Sequence, residues 1–394
     1  MKDIIIQRPT IAVKTAYNEV VTRLHQQAGA AGAPPPNIPN FSSASSALQR
    51  TKAAQCPPIP HTINQVQFPG AFGQTHLRER YLLHLNQNTG VALFSTDVEL
   101  RFLANAQRIY VDGTFKTAPR PFTQLFTIHA EHLNRVINLA AALLTGKQQV
   151  QYQEIFNVLH QEMLRVTNGI PALIQEVVSD FELAVFNAVV ASFPNAQVSG
   201  CYFHFTQNLW KHTQELGLAG AFQLNPALKV FLTHVYSLGF VPLGHVPLCF
   251  NQLVTDPQTQ QLVAQYPNLH TFIQYVHNTY IVGQQFPPDT WNVFNRRMSA
   301  RTNNFVESFH AQWNKSVGVR HPSIWQFVAK LQDQQALSRN SLNNAVNGNP
   351  VVRRRAKWVR LENRINTLKG QYLAGQRTVQ NYWSAVRHQI QQFK

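Results

Sequence analysis

RIYVDGTFKT, residues 108–117, places three β-prone residues, Ile109, Tyr110 and Val111, directly before Asp112 and Gly113. A second extended run follows at 122–129. A carboxylate at the end of a buried strand is costly unless something cationic meets it, which makes Asp112 a candidate metal ligand. The competing reading is a hairpin with Asp-Gly at its turn. With only 18 Asp and Glu among 394 residues, few carboxylates are available for a cluster. Two others stand in comparable settings: Asp180 closes the extended run 173–179, and Glu307 sits early in a predicted helix.

Outward from this stretch, strands are predicted over 109–115, 122–130 and 135–144, and their short polar links imply antiparallel neighbours. A helix over 150–166, with Ile155, Phe156, Leu159, Met163 and Val166 on one face, leads to a fourth strand ending at Asp180. A crossover of that length lets the fourth strand lie parallel to an earlier one. If that neighbour is the first strand, Asp112 and Asp180 stand side by side. A helix over 181–193 and a strand over 197–202 complete a five-stranded mixed α/β layer.

The expected organisation begins with an N-terminal helix (9–27) and a Pro/Ala/Ser-rich linker or loosely docked strap, together residues 1–60. An accessory segment over 61–106 holds a hairpin (80–85 and 91–94) and a helix (96–106) capped by Thr96. The first core part spans 107–206, an all-helical insertion 207–300, a core completion carrying Glu307 301–349, and a basic helical tail 350–394. Helices over 304–317 and 323–342 make up the core completion.

Charge narrows the choice of partner. Lys and Arg number 34 against 18 Asp and Glu, a net +16 with a pI near 10.0, which favours nucleic acid or an anionic membrane surface. Membrane is the weaker option, because the apolar stretch 136–144 is less than half of the ~20 residues a spanning helix needs. The first ten residues are too polar for a secretory leader. Three cysteines, Cys56, Cys201 and Cys249, make no disulfide framework and point to a reducing compartment. The tail from 351 holds ten Lys and Arg against one Glu, +9 of the total. Its RRRAK, Arg353, Arg354, Arg355 and Lys357 around Ala356, reads as a nuclear localisation signal, a phosphate-contacting patch, or both. Lys116 and Arg120, close to Asp112 in sequence, are candidate DNA contacts, and Arg296, Arg297 and Arg301 are further ones.

Local alternatives stand beside each site residue. Ser179 and Glu182 fit a capping box, which would make Asp180 the first residue of a helix, and Asn304 with Glu307 has the same spacing. On the helix of Glu307, Phe305, Phe309 and Trp313 share one stripe, and Asn303, Glu307, His310 and Asn314 share a polar one that suits a site. Cys201 and His204 form a CxxH pair. A structural zinc needs four ligands, and His212 and Cys249 complete no standard finger spacing, so zinc is not expected. Trp210 is either a core side chain or a base-stacking one.

A β-β-β-α-β-α-β order, with acids ending strands one and four and a third acid on a later helix, is what a ribonuclease H-like core requires. YVDGTF (110–115), SDFELA (179–184), CYFH (201–204) and TNNFVESFH (302–310), with IPNFSSASSALQR (38–50) and RHPSIW (320–325), resemble in order the signatures of Mutator-like (MULE) transposases, animal type. The resemblance implies a ribonuclease H-like fold and a DDE triad of Asp112, Asp180 and Glu307 binding Mg²⁺ or Mn²⁺ as a two-metal site. It further implies cleavage of element ends, strand transfer into target DNA, assembly as a homo-oligomer on DNA, a nuclear location, and a CxxH motif beside the core. Related animal proteins carry a FLYWCH-type zinc finger ahead of this region, and residues 1–60 supply no ligands for one, Cys56 standing alone. Two other readings share these residues: a domesticated DNA-binding protein without catalysis, and a nuclease of the same fold without strand transfer.

Overall fold

The computed structural model describes residues 1–9, 11–34, 37–133, 135–296, 304–349 and 356–390. The chain opens with helices α1 (Lys2–Gln7), α2 (Val13–Ala30) and α3 (Phe41–Gln55). Strands β1 (Leu82–Asn86) and β2 (Val91–Phe94), helix α4 (Asp97–Ala104) and strands β3 (Arg108–Thr114), β4 (Gln124–His132) and β5 (Arg135–Leu144) follow. Then come α5 (Gln149–Val166), β6 (Glu176–Ser179), α6 (Leu183–Ser192), β7 (Gln197–Gly200) and α7 (Tyr202–Glu215). The remainder is helical: α8 (Ala219–Leu224), α9 (Pro226–Ser237), α10 (Val246–Thr255), α11 (Pro257–Gln265), α12 (Asn268–Val276), α13 (Pro288–Trp291), α14 (Asn304–Val317), α15 (Ile324–Val346), α16 (Ala356–Leu373) and α17 (Val379–Ile390). Among the described residues this is a mixed α/β chain with seven strands, and no helix among them is long and apolar enough to cross a membrane.

The chain divides into two compact units. The first comprises Met1–Ala106, Gly113–Leu173 and Phe309–Asn349. Its strands run β1-β2-β5-β4, every neighbouring pair antiparallel. Five strands are expected from the sequence, yet the hairpin β1-β2 is no separate accessory: Val91–Phe94 pair with Leu144–Ala141 and extend the sheet. Its four β2 residues are all buried, so they behave as an inner strand. Helix α15 packs Trp325, Phe327, Val328 and Leu331 against Phe94, Leu125 and Leu143. Thr96 caps α4 as expected, accepting a hydrogen bond from the Glu99 amide. Glu99 is buried and compensated by Arg339, whose Nε donates to Oε1 at 2.9 Å, and by Gln335 Nε2 at 3.0 Å.

The segment expected to be a linker holds α3. Asn40 Oδ1 accepts from the Ser43 amide at 2.9 Å, and Leu48 joins Ile5, Ile11, Val13 and Ala16 in a small core of its own. Ala-rich composition therefore supports a helix here, anchored by one leucine.

The second unit comprises Gln107–Asp112, Ile174–Ser308 and Pro350–Lys394. The β3 residues Arg108–Tyr110 pair with Glu176–Val178, and β6 pairs with β7, both in parallel, as the helical crossover predicts. Residues from α7 onward build one core, and α16 and α17 are part of it through Leu361, Ile365, Tyr382, Trp383 and Val386. Trp383 Nε1 donates to Ser237 Oγ at 2.8 Å and Tyr382 OH to the Phe240 carbonyl at 3.0 Å. The basic segment expected as a tail is thus an integral layer of this unit. Its apolar residues recur at helical spacing and need a partner surface.

Candidate active site

Asp112 and Gly113 lie inside β3, which runs on to Thr114, so the Asp-Gly turn does not form. Gly113 leaves room for the buried Gln124 side chain, whose Nε2 would lie 2.0 Å from a Cβ there and would have to move aside for one. Asp112 is buried near the strand's end. Continuing the β3–β6 register two residues past Tyr110↔Val178 sets Asp112 level with Asp180. Asp180 follows β6 directly and accepts a 3.3 Å hydrogen bond from the buried Ser179 hydroxyl. The capping-box alternative fails, because α6 begins at Leu183 and Glu182 occupies its N-cap position without a side-chain cap. Phe181 fixes the loop. Its ring packs on Phe186, Phe205, Tyr280 and Phe286, and lies where a Cβ on Gly200 would fall, 2.4 Å from Cζ.

β7 ends at Gly200, two residues earlier than the sequence suggests, and the CYFH motif opens α7 instead. Cys201 is buried at the N-cap, its amide donating to the Ser179 carbonyl at 2.8 Å. One turn into α7, His204 Nε2 stands 3.5 Å from Glu307 Oε1, in electrostatic contact, while its Nδ1 is buried without a hydrogen-bond partner among the described residues. Burial pushes the Glu307 carboxyl up, His204 opposes the shift, and the Asp112 carboxylate adds to it. The Asp112 carboxylate, far away in sequence, thus adds its charge at Glu307.

The donor chemistry fits a hard divalent cation. Asp112 and Asp180 stand level with each other and Asp112 adds its charge at Glu307, a set of oxygen donors of the type that a hard divalent cation prefers. Among the described residues, no group of three or more His, Cys, Asp or Glu side chains is placed to hold a metal ion by itself. Mg²⁺ needs no such cage, being held by one or two carboxylates together with water and substrate phosphate.

Other expected residues fall elsewhere. Arg296 is buried, not a DNA contact: Nη1 donates to the Gly200 carbonyl at 2.7 Å, Nη2 to the Thr290 carbonyl at 2.6 Å, and Nε faces Glu176 at 3.9 Å. It locks the end of β7, and burial lowers its pKa. Trp210 packs edge-on against Phe222, 5.2 Å between centroids, on the insertion core, so it is no free stacking platform. Cys249 is buried in that core, and the His212 ring lies 3.9 Å from that of Tyr275. The polar stripe of α14 is divided: His310 bonds Thr127 Oγ1 at 3.0 Å, and Asn314 Oδ1 accepts from Thr117 Oγ1 at 3.1 Å, both in the first unit. Lys116 and Arg120 are exposed in the first unit, and Lys357 is exposed on α16. Arg353, Arg354, Arg355, Arg297, Arg301 and Asn303 lie outside the described residues. Sequence reasoning missed the contact of His204 with Glu307, though the CxxH motif marked the residue, and missed Arg320, which was visible only as part of RHPSIW.

A search of curated proteins gives no match. Glu307 lies beyond the stretch that a known family covers, but the other acids and the CxxH pair lie within it: the model of the MULE transposase domain matches residues 108–208, from the first residue of β3 into α7.

Proposed function

We propose that this chain is a DDE-type DNA transposase of the Mutator-like class, on a ribonuclease H-like strand order, that cleaves element ends and joins them to target DNA. What supports the reading is the parallel β3–β6 register, which sets Asp112 level with Asp180, in a chain whose residues 108–208 are similar to a MULE transposase domain. In this reading Asp112, Asp180 and Glu307 hold Mg²⁺ or Mn²⁺, which when bound activates the attacking oxygen and neutralises the leaving one. Asp112 and Asp180, on or beside paired strands, supply fixed carboxylates. Glu307 supplies the third from a helix, with His204 as the side chain that holds its carboxylate in place. Lys116, Arg120, Lys357 and the Arg353–Arg355 run are the phosphate contacts, the last also serving nuclear import. Assembly on DNA is as a homo-oligomer.

The test incubates the full chain with supercoiled plasmid and short duplexes bearing free 3′-hydroxyls, in Mg²⁺, in Mn²⁺ and in chelator. Metal-dependent nicking and joining should vanish in Asp112→Asn, while DNA binding stays equal or tightens, since one charge repelling phosphate is gone. Products that persist in Asp112→Asn, or in chelator, would refute the assignment. A loss of binding together with cleavage would make Asp112 structural.

A further inference from the structure

The first unit carries an open cleft of about 1060 Å³ whose lining includes Lys116, Arg120, Arg320, His61, His321 and Asn314 and contains no Asp or Glu. Lys116, Arg120 and Arg320 are exposed, and none of the three forms an ion pair among the described residues. Three cations around one cleft with no carboxylate in its wall repel each other, and an anion entering the cleft relieves that repulsion.

The wall is built to hold its shape. Trp313 Nε1 donates to Thr117 Oγ1 at 2.9 Å, and that hydroxyl donates onward to Asn314 Oδ1 at 3.1 Å, fastening the loop of Lys116 and Arg120 to α14. Gly318, at φ +75°, ends the helix, and the chain turns through Arg320 to His321, at φ +49°. A histidine in the left-handed region is strained, and its Nδ1–H donating to the Ala118 carbonyl at 3.1 Å compensates. The same bond ties the turn of Arg320 to the loop of Arg120. Two separate segments thus border one cleft with Arg120 and Arg320, their backbones tied together by buried and part-buried hydrogen bonds.

We infer that this cleft is a docking groove for the phosphodiester backbone of DNA, with Arg120 and Arg320 as paired phosphate contacts and Lys116 beside them. The inference rests on DNA being the substrate, and it goes beyond that reading by assigning Arg320 and the groove itself. Guanidinium groups suit phosphate because their planar fork binds two oxygens at once. Backbone contacts of this kind position DNA without reading its sequence.

The experiment measures binding of the full chain to a labelled duplex of arbitrary sequence, in chelator to block cleavage, over a series of salt concentrations. The proteins are wild type, Arg120→Ala/Arg320→Ala and Arg120→Lys/Arg320→Lys. Removing two phosphate contacts should flatten the log–log salt dependence by about 1.8. If the affinities converge near 1 M salt, this corresponds to roughly 200-fold weaker binding at about 50 mM. The lysine pair keeps the charge and should keep most of the slope. Thermal melting checks that both variants fold, as expected for exposed side chains. Wild-type affinity and slope in the alanine pair would overturn the groove and leave the transposase reading standing. Flattened binding in a chain that cleaves nothing would uphold the groove and remove the transposase, and no DNA binding by wild type would overturn both.

Discussion

His129, on β4, is buried in the first unit, its ring edge-on to Phe309 at 4.7 Å, with Nε2 lacking a hydrogen-bond partner among the described residues. Burial first, and neighbouring His310 second, hold its imidazole well below the usual histidine range. In the unfolded chain the same side chain takes a proton near pH 6.5. The unfolded state therefore binds more protons as pH falls, so the stability His129 allows is complete above that pH and is lost below it. For one group neutral when folded, linkage gives about 1.4 kcal/mol lost between pH 7.5 and pH 5.5. With a urea m-value of about 3 kcal/mol/M, the unfolding midpoint should fall by about 0.5 M from this residue alone. His129→Leu removes the titrating group, so urea unfolding of wild type and variant at several pH values isolates its part as a difference of slopes. Equal slopes would refute the reasoning, as would a variant more acid-sensitive than wild type.

Two further outcomes follow from the second unit. Glu307 has the opposite sign to His129: its pKa is raised, by burial first, so folding favours its protonated form and stability falls as pH rises past the usual glutamate range. Glu307→Gln should therefore melt about 1–2 °C higher than wild type at pH 8 in chelator and level with it near pH 4, while only wild type gains from Mg²⁺ by mass action. Calorimetry with and without the metal checks both statements, and an equal Mg²⁺ shift in the two proteins would remove Glu307 from the metal site. On α16, Lys357, Arg360 and Arg364 are exposed at spacings of three and four residues, on one face. Changing all three to Gln should flatten the salt dependence of DNA binding by about 2.7 without unfolding the unit, whereas deleting residues 350–394 should unfold it. An unchanged slope would take that face off the DNA path.

How far the sequence could be read depended on local pattern. β3, β4 and β5 announce themselves as β-prone runs with short links, and the long amphipathic α5 allows β6 to return parallel to an earlier strand without saying which. From sequence, Asp112 and Asp180 stand together only on the condition that β3 is that neighbour, and β3 does pair with β6. Helix α3 could not, because Ala, Ser and Thr carry little periodic signal, and its place depends on Leu48 meeting Ile5 and Val13. The hairpin β1-β2 was legible as a hairpin, but its pairing with β5 depends on a long-range contact that no window of sequence contains.

Charge is where composition misleads most. A formal +16 treats every cation as available to a polyanion, yet burial withdraws several of them. Arg296 holds the Gly200 carbonyl, Arg339 neutralises Glu99, Lys369 donates to the Phe294 carbonyl and lies 4.4 Å from its ring centroid, and Arg387 is buried in α17. These four side chains are taken up wholly or in part by contacts within their own unit. Lys116, Arg120 and Arg320 around the cleft, with Lys357, Arg360 and Arg364 on α16, form two groups of exposed cations, each held on anchored structure. Affinity for a phosphate backbone depends on how many charges can reach it, so under the proposed function these six exposed cations, rather than the net charge, set the expected salt dependence. Arg296 and Arg120 differ in this respect: the Arg296 guanidinium is engaged by the Gly200 and Thr290 carbonyls, whereas Arg120 is exposed in the wall of the cleft.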